Sequence, residues 1–483
     1  MSQQAVAPIA SGHPSGDGQT VTGGSRDQRG DNVPAMNPRT LRMLQGSIVP
    51  TLLRMAAPTI ATMVAQSLIA LIQIWFVSRL GIDSLAGISL VFPGWMMMQV
   101  LSAGSLGGGI SSAVARALGA GRKADADALV WHVVIISVVI GALFGGLALA
   151  FGRPMYRALG GTGGSLEEAL LYSNIVFTAM PMVWLTNGVA SVIRGTGNMM
   201  FPAVVVFLGN AALVPLSPVL IFGLGPIPAM GMVGAAIAVL ITNIATAGVL
   251  CSYVLSGRTL VRLGALQPRR ATFTSILRAG TIASVSALQN SFTIILLTAL
   301  VGRTAGPDAV AGYGIGVRLE YQLMLVVFGF GAPLVAMVGA NIGAGQRDRS
   351  VRTALVGGAI AFVLCEAIGV AVAIWPDAWL GLFSHAPRML AGGEDYLRYA
   401  GPGYGFLSLG VALFFASQGA GRLGWPVFAG FLRMAIALVG ALVAWLSTHD
   451  LRVVFAMLGV AWVVYGAFLA VAIRAGIWFR RSS

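Results

Sequence analysis

The chain has 483 residues, of which 57% are hydrophobic and only 10% are charged. A water-soluble protein of this size cannot cover its surface with so few charged side chains, so the composition excludes a soluble enzyme and indicates a membrane protein. The formal net charge of +14 does not indicate nucleic-acid binding, because no basic stretch alternates with aromatic residues as single-strand binding requires.

The first 45 residues are polar and rich in glycine, serine and aspartate. Such a segment cannot bury a core, so we expect a disordered cytoplasmic tail over residues 1–45. Apolar stretches that are long enough to cross a bilayer follow this tail. The predicted spans are 51–78, 85–113, 128–152, 169–193, 201–223, 231–256, 279–302, 309–338, 353–376, 399–418, 426–447 and 453–473. They predict an all-α integral membrane protein with twelve transmembrane helices.

Glycine-rich corners recur along the chain in the same order. The repeated corners are GIDSLAG (Gly81–Gly87) with GPDAVAG (Gly306–Gly312), GAGRK (Gly119–Lys123) with GAGQR (Gly343–Arg347), and Gly195, Gly197 and Pro202 with Gly419, Gly421 and Pro426. The offset is 224 or 225 residues throughout, which indicates a duplicated architecture. Each copy holds an even number of spans, so both copies enter the membrane from the same side. We predict two six-helix bundles, 46–257 and 279–483, related by a pseudo-two-fold axis along the membrane normal.

Basic residues orient this array in the membrane. Most of the 30 lysines and arginines fall in the tail, in the segment 258–278 and in the loops on the same side. The positive-inside rule places that side, with both termini, in the cytoplasm. We therefore predict a multi-pass protein of the plasma membrane, the inner membrane in a bacterium, with 258–278 as a basic cytoplasmic linker. We interpret Gly119, Gly343, Gly195 and Gly419 as left-handed residues that end helices at this face, a structural role.

The duplication and the corner motifs resemble the multidrug and toxic compound extrusion (MATE) transporters. The motifs that carry the resemblance are RLGIDSLAG, VARALGAGRK, RGTGNMMFP, LIFGLGPIPAMGMVGAAIA, VGANIGAG and ASQGAGRLGWP, and it runs from about Thr51 to Ile477. It implies a secondary active antiporter that exports organic cations, drugs or other amphipathic xenobiotics in exchange for protons or sodium ions. It also implies alternating access of the two bundles around a central cavity.

Two of the 16 acidic residues, Glu320 and Glu366, lie deep within predicted spans. An acid at such depth is a functional candidate by default. The positions at which the family carries its usual coupling acids hold Gln73, Ser217, Gln289 and Leu407 here. We predict proton coupling through Glu320, with Glu366 as the second candidate, and expect sodium less because a sodium site usually includes a carboxylate. The alternative for Glu366 is a structural role, either in a pair with Arg433 or in a hydrogen bond to a neighbouring polar side chain.

Polar residues near Glu320 and on two other spans are candidates for a substrate cavity. Arg318 and Tyr321 belong to the most polar stretch of any second-half span, and we predict that they line the cavity. Four amides either line the same cavity or form hydrogen bonds between helices. These amides are Gln66, Gln73, Gln289 and Asn290. The expected partners are a small-molecule substrate and membrane lipid, and we expect the protein to act as a monomer without nucleic acid.

Two other functions remain open at this stage. A flippase for a lipid-linked saccharide would need a cluster of basic residues for pyrophosphate, whereas the predicted spans hold only Arg54, Arg318 and Arg433. A receptor or scaffold without transport activity would explain the missing coupling acids. The two cysteines and four histidines show no metal-ligand spacing, so we predict neither a metal nor a cofactor.

Overall fold

The computed structural model describes residues 37–263, 270–383 and 387–479. Within these ranges the chain forms helices and no β-strand, which confirms the all-α class. A short helix, α1, runs over Pro38–Gln45 and precedes the spans. The spans are α2 Ile48–Ser78, α3 Ile82–Gly119, α4 Lys123–Ala158, α5 Gly163–Thr178 with Met180–Gly195, α6 Met200–Phe222, α7 Gly231–Leu255, α8 Phe273–Thr304, α9 Ala309–Gly343, α10 Arg347–Ile374, α11 Met389–Ala420, α12 Gly424–Thr448 and α13 Leu451–Arg474.

Among the described residues, 11 helices are long and apolar enough to cross a membrane, and α5 makes a twelfth when its two parts, bent by 47°, count as one span. This confirms the twelve predicted spans. The bend in α5 precedes Pro181, which has no N–H to continue the hydrogen-bond ladder. Smaller irregularities interrupt three other spans. These are the π-helical segments Val100–Leu106 and Ile436–Gly440 and the 3₁₀ turn Gly401–Gly403.

Helix α1 corrects the predicted extent of the disordered tail. Asn37 caps the helix by accepting a 3.0 Å hydrogen bond from a backbone N–H two residues later. Met43 and Leu44 are buried against the rest of the protein. The prediction of disorder is therefore wrong for residues 37–45, because these apolar side chains find a surface that the sequence alone does not reveal. The remainder of the predicted tail, 1–36, lies outside the described residues.

The predicted linker, 258–278, is anchored and partly helical. Val261 is buried in the core of the preceding helices, and the backbone N–H of the next residue donates a 2.7 Å hydrogen bond to Asp127. A helix begins at Arg270, so the last part of the predicted linker already belongs to the helix that continues as α8. Residues 264–269 lie outside the described residues.

The two halves, α2–α7 and α8–α13, repeat the same helix packing. At equivalent glycines, an added methyl group would collide with a backbone carbonyl of a neighbouring helix. The equivalent contacts are Gly145 with Phe177 and Gly369 with Gly401, and Gly195 with Ser111 and Gly419 with Val335. In both comparisons, each residue of the second half lies 224 positions after its counterpart in the first half. The sequence repeat is therefore also a repeat of close backbone contacts.

The halves meet where α3 and α9 end. A methyl group on Gly119, the last residue of α3, would collide with the carbonyl of Ala340, and one on Gly343, the last residue of α9, with the carbonyl of Arg116. These two contacts exchange the same two positions of the repeat, as contacts across a two-fold axis do. Glycine is required at both positions because the two backbones touch.

The corner glycines therefore differ in role from the prediction. The residues with left-handed φ angles at these corners are Gly121, Gly197, Gly345 and Gly421. Each follows the predicted residue by two positions. The interpretation of Gly119, Gly343, Gly195 and Gly419 as left-handed residues is wrong, because they lie at helix ends where a side chain would separate neighbouring helices.

Hydrogen bonds between the halves gather at the same end. The hydroxyl of Ser112 donates to the carbonyl oxygens of Gln418 and Gly419, at 2.7 and 2.8 Å. The side-chain amide of Gln418 donates in return to the carbonyl oxygen of Gly104, at 3.2 Å. We call this end, where α3 and α9 finish, the closed end. The opposite end, where α2 finishes at Ser78, is called the open end.

Candidate functional site

A small cavity of about 20 Å³, room for about one water molecule, lies inside the second half among α8, α9, α12 and α13. Its walls carry one carboxylate, one guanidinium and one amide among mostly apolar and aromatic side chains. The lining side chains that matter here are Asn290, Thr293, Tyr313, Glu320, Arg433 and Trp462. The cavity therefore joins two of the predicted site residues, Glu320 and Asn290, to Arg433.

Glu320 reaches this cavity from α9. Its carboxylate accepts a 2.9 Å hydrogen bond from the hydroxyl of Tyr396 on α11. Tyr396 is fully buried, and its ring stands edge-on to those of Tyr313 and Phe455, with ring centroids 5.1 and 5.4 Å away. This packing fixes the position of the hydroxyl, so the donor is already in place for an ionised carboxylate.

Arg433 brings a positive charge to the same cavity from α12. Its guanidinium donates a 2.9 Å hydrogen bond to the amide oxygen of Asn290 and lies 5.0 Å from the ring centre of Tyr465. The side chain is only 7% exposed, and its Nε finds no hydrogen-bond partner among the described residues. Its charge is therefore weakly screened and opposes the entry of a metal cation into the cavity.

Glu366 lies elsewhere and has a structural partner. Its carboxylate accepts a 2.8 Å hydrogen bond from the backbone N–H of Gly405, immediately after the 3₁₀ turn that interrupts α11. A helix that restarts inside a membrane has N–H groups without intrahelical partners, and this carboxylate satisfies one of them. The predicted pairing of Glu366 with Arg433 is wrong, because Arg433 bonds Asn290 across a different group of helices.

The glutamines of α2 face the inside of the first half. Gln73 donates to the carbonyl of Leu213 at 3.1 Å and accepts from the hydroxyl of Ser217 at 2.9 Å, both on α6. Gln66 precedes Gln73 by two helical turns on the same face and is half-buried. Gln73 therefore forms hydrogen bonds between helices, which is the second of the two roles predicted for these amides. The structure also joins Gln73 and Ser217, two of the positions at which the family carries acids.

Gln289 and Asn290 are neighbours on α8 but face different surroundings. Gln289 is buried against Gly430 of α12, and its amide nitrogen has no hydrogen-bond partner in the described part of the chain. Asn290 holds Arg433. Leu407, the remaining position of the family's acids, is buried and apolar. The structure therefore brings only one of these two amides to the Glu320 cavity.

Arg318 and Tyr321 point away from the Glu320 cavity. Both are exposed, and the exposed fraction of Tyr321 is 54%. Arg318 lies three turns before Gly329, whose position against Ile60 shows that this face of α9 is turned towards α2 of the other half. The two predicted cavity residues therefore lie near the surface between the halves, and Glu320 belongs to a separate site.

Sequence reasoning missed Tyr396, the hydrogen-bond partner of Glu320. A signal for it exists, because Tyr396 lies 224 residues after Tyr172, so both halves carry a tyrosine at the same position of the repeat. It also placed Arg433 beside the wrong acid. Neither assignment follows from spacing along the chain, since Glu320 and Tyr396 are 76 residues apart.

Comparison with known proteins identifies the family. The family model described as MatE matches the chain twice, over residues 58–219 and 282–473. The matches begin 224 residues apart, the offset of the repeated corners. The chain belongs to the MatE family. The resemblance to MATE transporters is thus confirmed over both halves.

Curated relatives in this family are described as transporters. The FAD transporter of Shewanella oneidensis is 28% identical over 382 residues, which cover 78% of this chain and 82% of that protein. The probable multidrug resistance protein NorM of Thermotoga maritima is 24% identical over 414 residues, with 82% and 88% covered. A solved structure described as MATE in the bent conformation matches with a TM-score of 0.84 at 25% identity, covering 91% of this chain and 97% of that one. These likenesses confirm the twelve-helix MATE fold.

Proposed function

We propose that this MatE-family protein is a secondary active exporter of small amphipathic organic compounds, organic cations and drugs among them, in exchange for protons. The descriptions of relatives such as the Thermotoga maritima protein as multidrug resistance proteins support export of such compounds. The observation that carries proton exchange is the position of Glu320 in a cavity with a fixed tyrosine donor. A carboxyl group that alternates between this donor and a proton is suited to coupling.

Protons are favoured over sodium by the groups around Glu320. A sodium ion, like other hard cations, requires several oxygen ligands around it. One oxygen of Glu320 is already engaged by Tyr396, and Arg433 adds a positive charge to the same cavity. The positions at which relatives carry acids form a neutral pair here, Gln73 with Ser217. Both features argue against a site for a metal cation.

The orientation follows from the distribution of basic residues. With both termini in the cytoplasm of a plasma-membrane protein, the closed end faces the cytoplasm and the open end faces outward. The moving units are then the two bundles, α2–α7 and α8–α13, joined by the part of the predicted linker that precedes Arg270. Transport by alternating access requires the closed end to open in turn, within one monomer.

Transport of a flavin dinucleotide is a second candidate function. This candidate is favoured by the likeness to the Shewanella oneidensis protein, which is described as an FAD transporter. The match covers 82% of that protein. This second candidate keeps the proton exchange of the first proposal and differs from it only in the substrate.

The proposal is tested by accumulation of ciprofloxacin, a fluorescent amphipathic zwitterion, in a pump-deficient bacterium that expresses the chain. Wild-type protein should lower accumulation, and collapse of the proton gradient should abolish that effect. Glu320→Gln should lose at least about tenfold in export rate, because proton exchange at a single group is removed. Glu366→Gln is the matched control, since glutamine keeps an acceptor for the Gly405 N–H.

Two results would contradict the proposal. Export by Glu320→Gln at the wild-type rate would show that this carboxyl group does not carry the exchanging proton. Export in proteoliposomes that is driven by an imposed sodium gradient, and not by a proton gradient, would exclude proton exchange.

A further inference from the structure

We infer that the cleft between the halves selects amphipathic compounds that carry an acidic group, and that Arg318 is the residue that selects them by charge. The inference rests on the proposed export function and narrows it, because it places compounds with an acidic group ahead of organic cations among the exported substrates. It concerns a surface separate from the Glu320 cavity.

Arg318 lies on the face of α9 that meets the other half. Further along this face, towards the closed end, Gly329 contacts Ile60 of α2 and Gly339 contacts Ala115 of α3. Residues 318, 322, 325 and 329 follow one another at intervals of three or four, so they share one stripe of the helix. The stripe is buried at Gly329 and exposed at Arg318. Since an arginine avoids lipid, its exposed position on this stripe indicates a water-filled cleft between the halves.

No carboxylate neutralises Arg318 from the helices that flank the cleft. The four helices α2, α3, α8 and α9 contain two acidic residues, Asp83 and Glu320. Asp83 lies against Gly164 at the start of α5, within the first half. Glu320 is bound to Tyr396 inside the second half. The net charge of the cleft near Arg318 is therefore positive, which favours an anionic group on the substrate.

The surface opposite Arg318 is apolar. On α2, Val64 and Leu71 lie on the same face as Ile60 and are 49% and 61% exposed. Leu71 and Arg318 each stand three turns from the Ile60–Gly329 contact, so both lie about 16 Å from it towards the open end. Tyr321 adds an exposed ring beside Arg318. A compound with an apolar body and one acidic group would place the body on α2 and the acid on α9.

The inference is tested with carboxyfluorescein and rhodamine 123, two dyes that share a xanthene ring system and carry opposite net charges. Initial rates are measured in proteoliposomes of the full chain with an imposed proton gradient, and protein-free liposomes correct for leak. Wild-type protein should move carboxyfluorescein at least about tenfold faster than rhodamine 123. Arg318→Gln should lower only the carboxyfluorescein rate, at least about fivefold, and Arg318→Glu should reverse the preference.

Arg153→Gln is the matched control, because Arg153 is also exposed but is paired with Glu167 at 3.3 Å. It should change neither rate. Movement of rhodamine 123 without carboxyfluorescein would overturn the inference, and so would an equal effect of Arg318→Gln on both dyes. Ciprofloxacin is measured in the same liposomes. If it is exported while carboxyfluorescein is not, charge selection fails and the export proposal stands, whereas failure of all three compounds contradicts both.

Discussion

The hydrogen bond between Glu320 and Tyr396 explains how a carboxyl group is held deep in a membrane protein. A charged side chain at the centre of a span costs about 2.5–3.5 kcal/mol on insertion scales. The Tyr396 hydroxyl offsets part of this cost by donating to the carboxylate at 2.9 Å. Because Tyr396 is itself locked between Tyr313 and Phe455, the donor cannot leave without disturbing the core of the second half.

This geometry predicts strong energetic coupling between the two side chains. Tyr396→Phe should lower the free energy of unfolding by about 1.5–3 kcal/mol, the usual range for a hydrogen bond to a charged group. In a Glu320→Ala background the same change should cost less than about 0.5 kcal/mol, because the hydroxyl then has no carboxylate to bond. Denaturant unfolding of all four variants in mixed micelles measures the difference. Equal costs in the two backgrounds would contradict the bond.

At the scale of single helices, breaks in the helical hydrogen-bond pattern determine where several polar side chains lie. A broken span leaves backbone N–H groups that lipid cannot satisfy, so a side chain or a neighbouring helix must do so. Glu366 has this task where α11 restarts at Tyr404, because its carboxylate accepts from the N–H of Gly405. In α12, Arg433 lies one turn before a π-helical segment, Ile436–Gly440, and Ala437 of that segment lines the Glu320 cavity. The irregular segment of α12 therefore contributes to the wall of the cavity. The break in α11 instead occupies the carboxylate of Glu366 in a structural hydrogen bond.

Helix α1 connects the two halves at the closed end. The side-chain amide of Asn341, on α9, donates to the carbonyl of Met43 at 3.2 Å. The Met43 side chain lies against Gly197, at the corner between α5 and α6 of the other half. Since the same residue touches both halves, α1 stabilises the arrangement in which the closed end is shut.

Disrupting α1 should therefore make the closed end more accessible. Met43→Asp should raise the rate at which an impermeant maleimide labels a Ser112→Cys reporter by at least about tenfold, because burial of a methionine contributes about 1.5–3 kcal/mol. The assay uses purified protein in lipid nanodiscs with Cys251→Ala and Cys365→Ala. Leu41→Asp is the control, since Leu41 is 40% exposed on the same helix. Equal labelling of the two variants would show that α1 does not hold the halves together.

At the scale of the whole molecule, the sequence predicts the fold much better than the site. Length and apolarity determine the twelve spans, and a constant offset reveals the duplication, because both are properties of the chain itself. The partner of Glu320 is not such a property. It depends on which face of α11 packs against α9, and the sequence around Tyr396 does not indicate that face. The same limit explains Met43, whose burial depends on a surface formed by both halves.

At the closed end, equivalent residues of the two halves form the contacts that shut the protein. Gly119 and Gly343 occupy equivalent positions, and each contacts the backbone of the other half at an equivalent carbonyl. The two contacts of this closure are equivalent, so each glycine should contribute to it to a similar degree. Hydrogen bonds such as that from Ser112 to Gln418 act on the same contact surface but are not duplicated among the described residues.

Gly119→Ala and Gly343→Ala should therefore open the closed end to a similar degree. Each added methyl group would collide with a carbonyl, of Ala340 or of Arg116, that belongs to a helix backbone and cannot move aside alone. Labelling of the Ser112→Cys reporter should rise at least about fivefold in both variants, since overpacking typically costs about 1–3 kcal/mol. Gly248→Ala should leave it unchanged, because no atom lies within 4 Å of a methyl group at that glycine. A rise in only one of the two variants would mean that the halves do not share the closure equally.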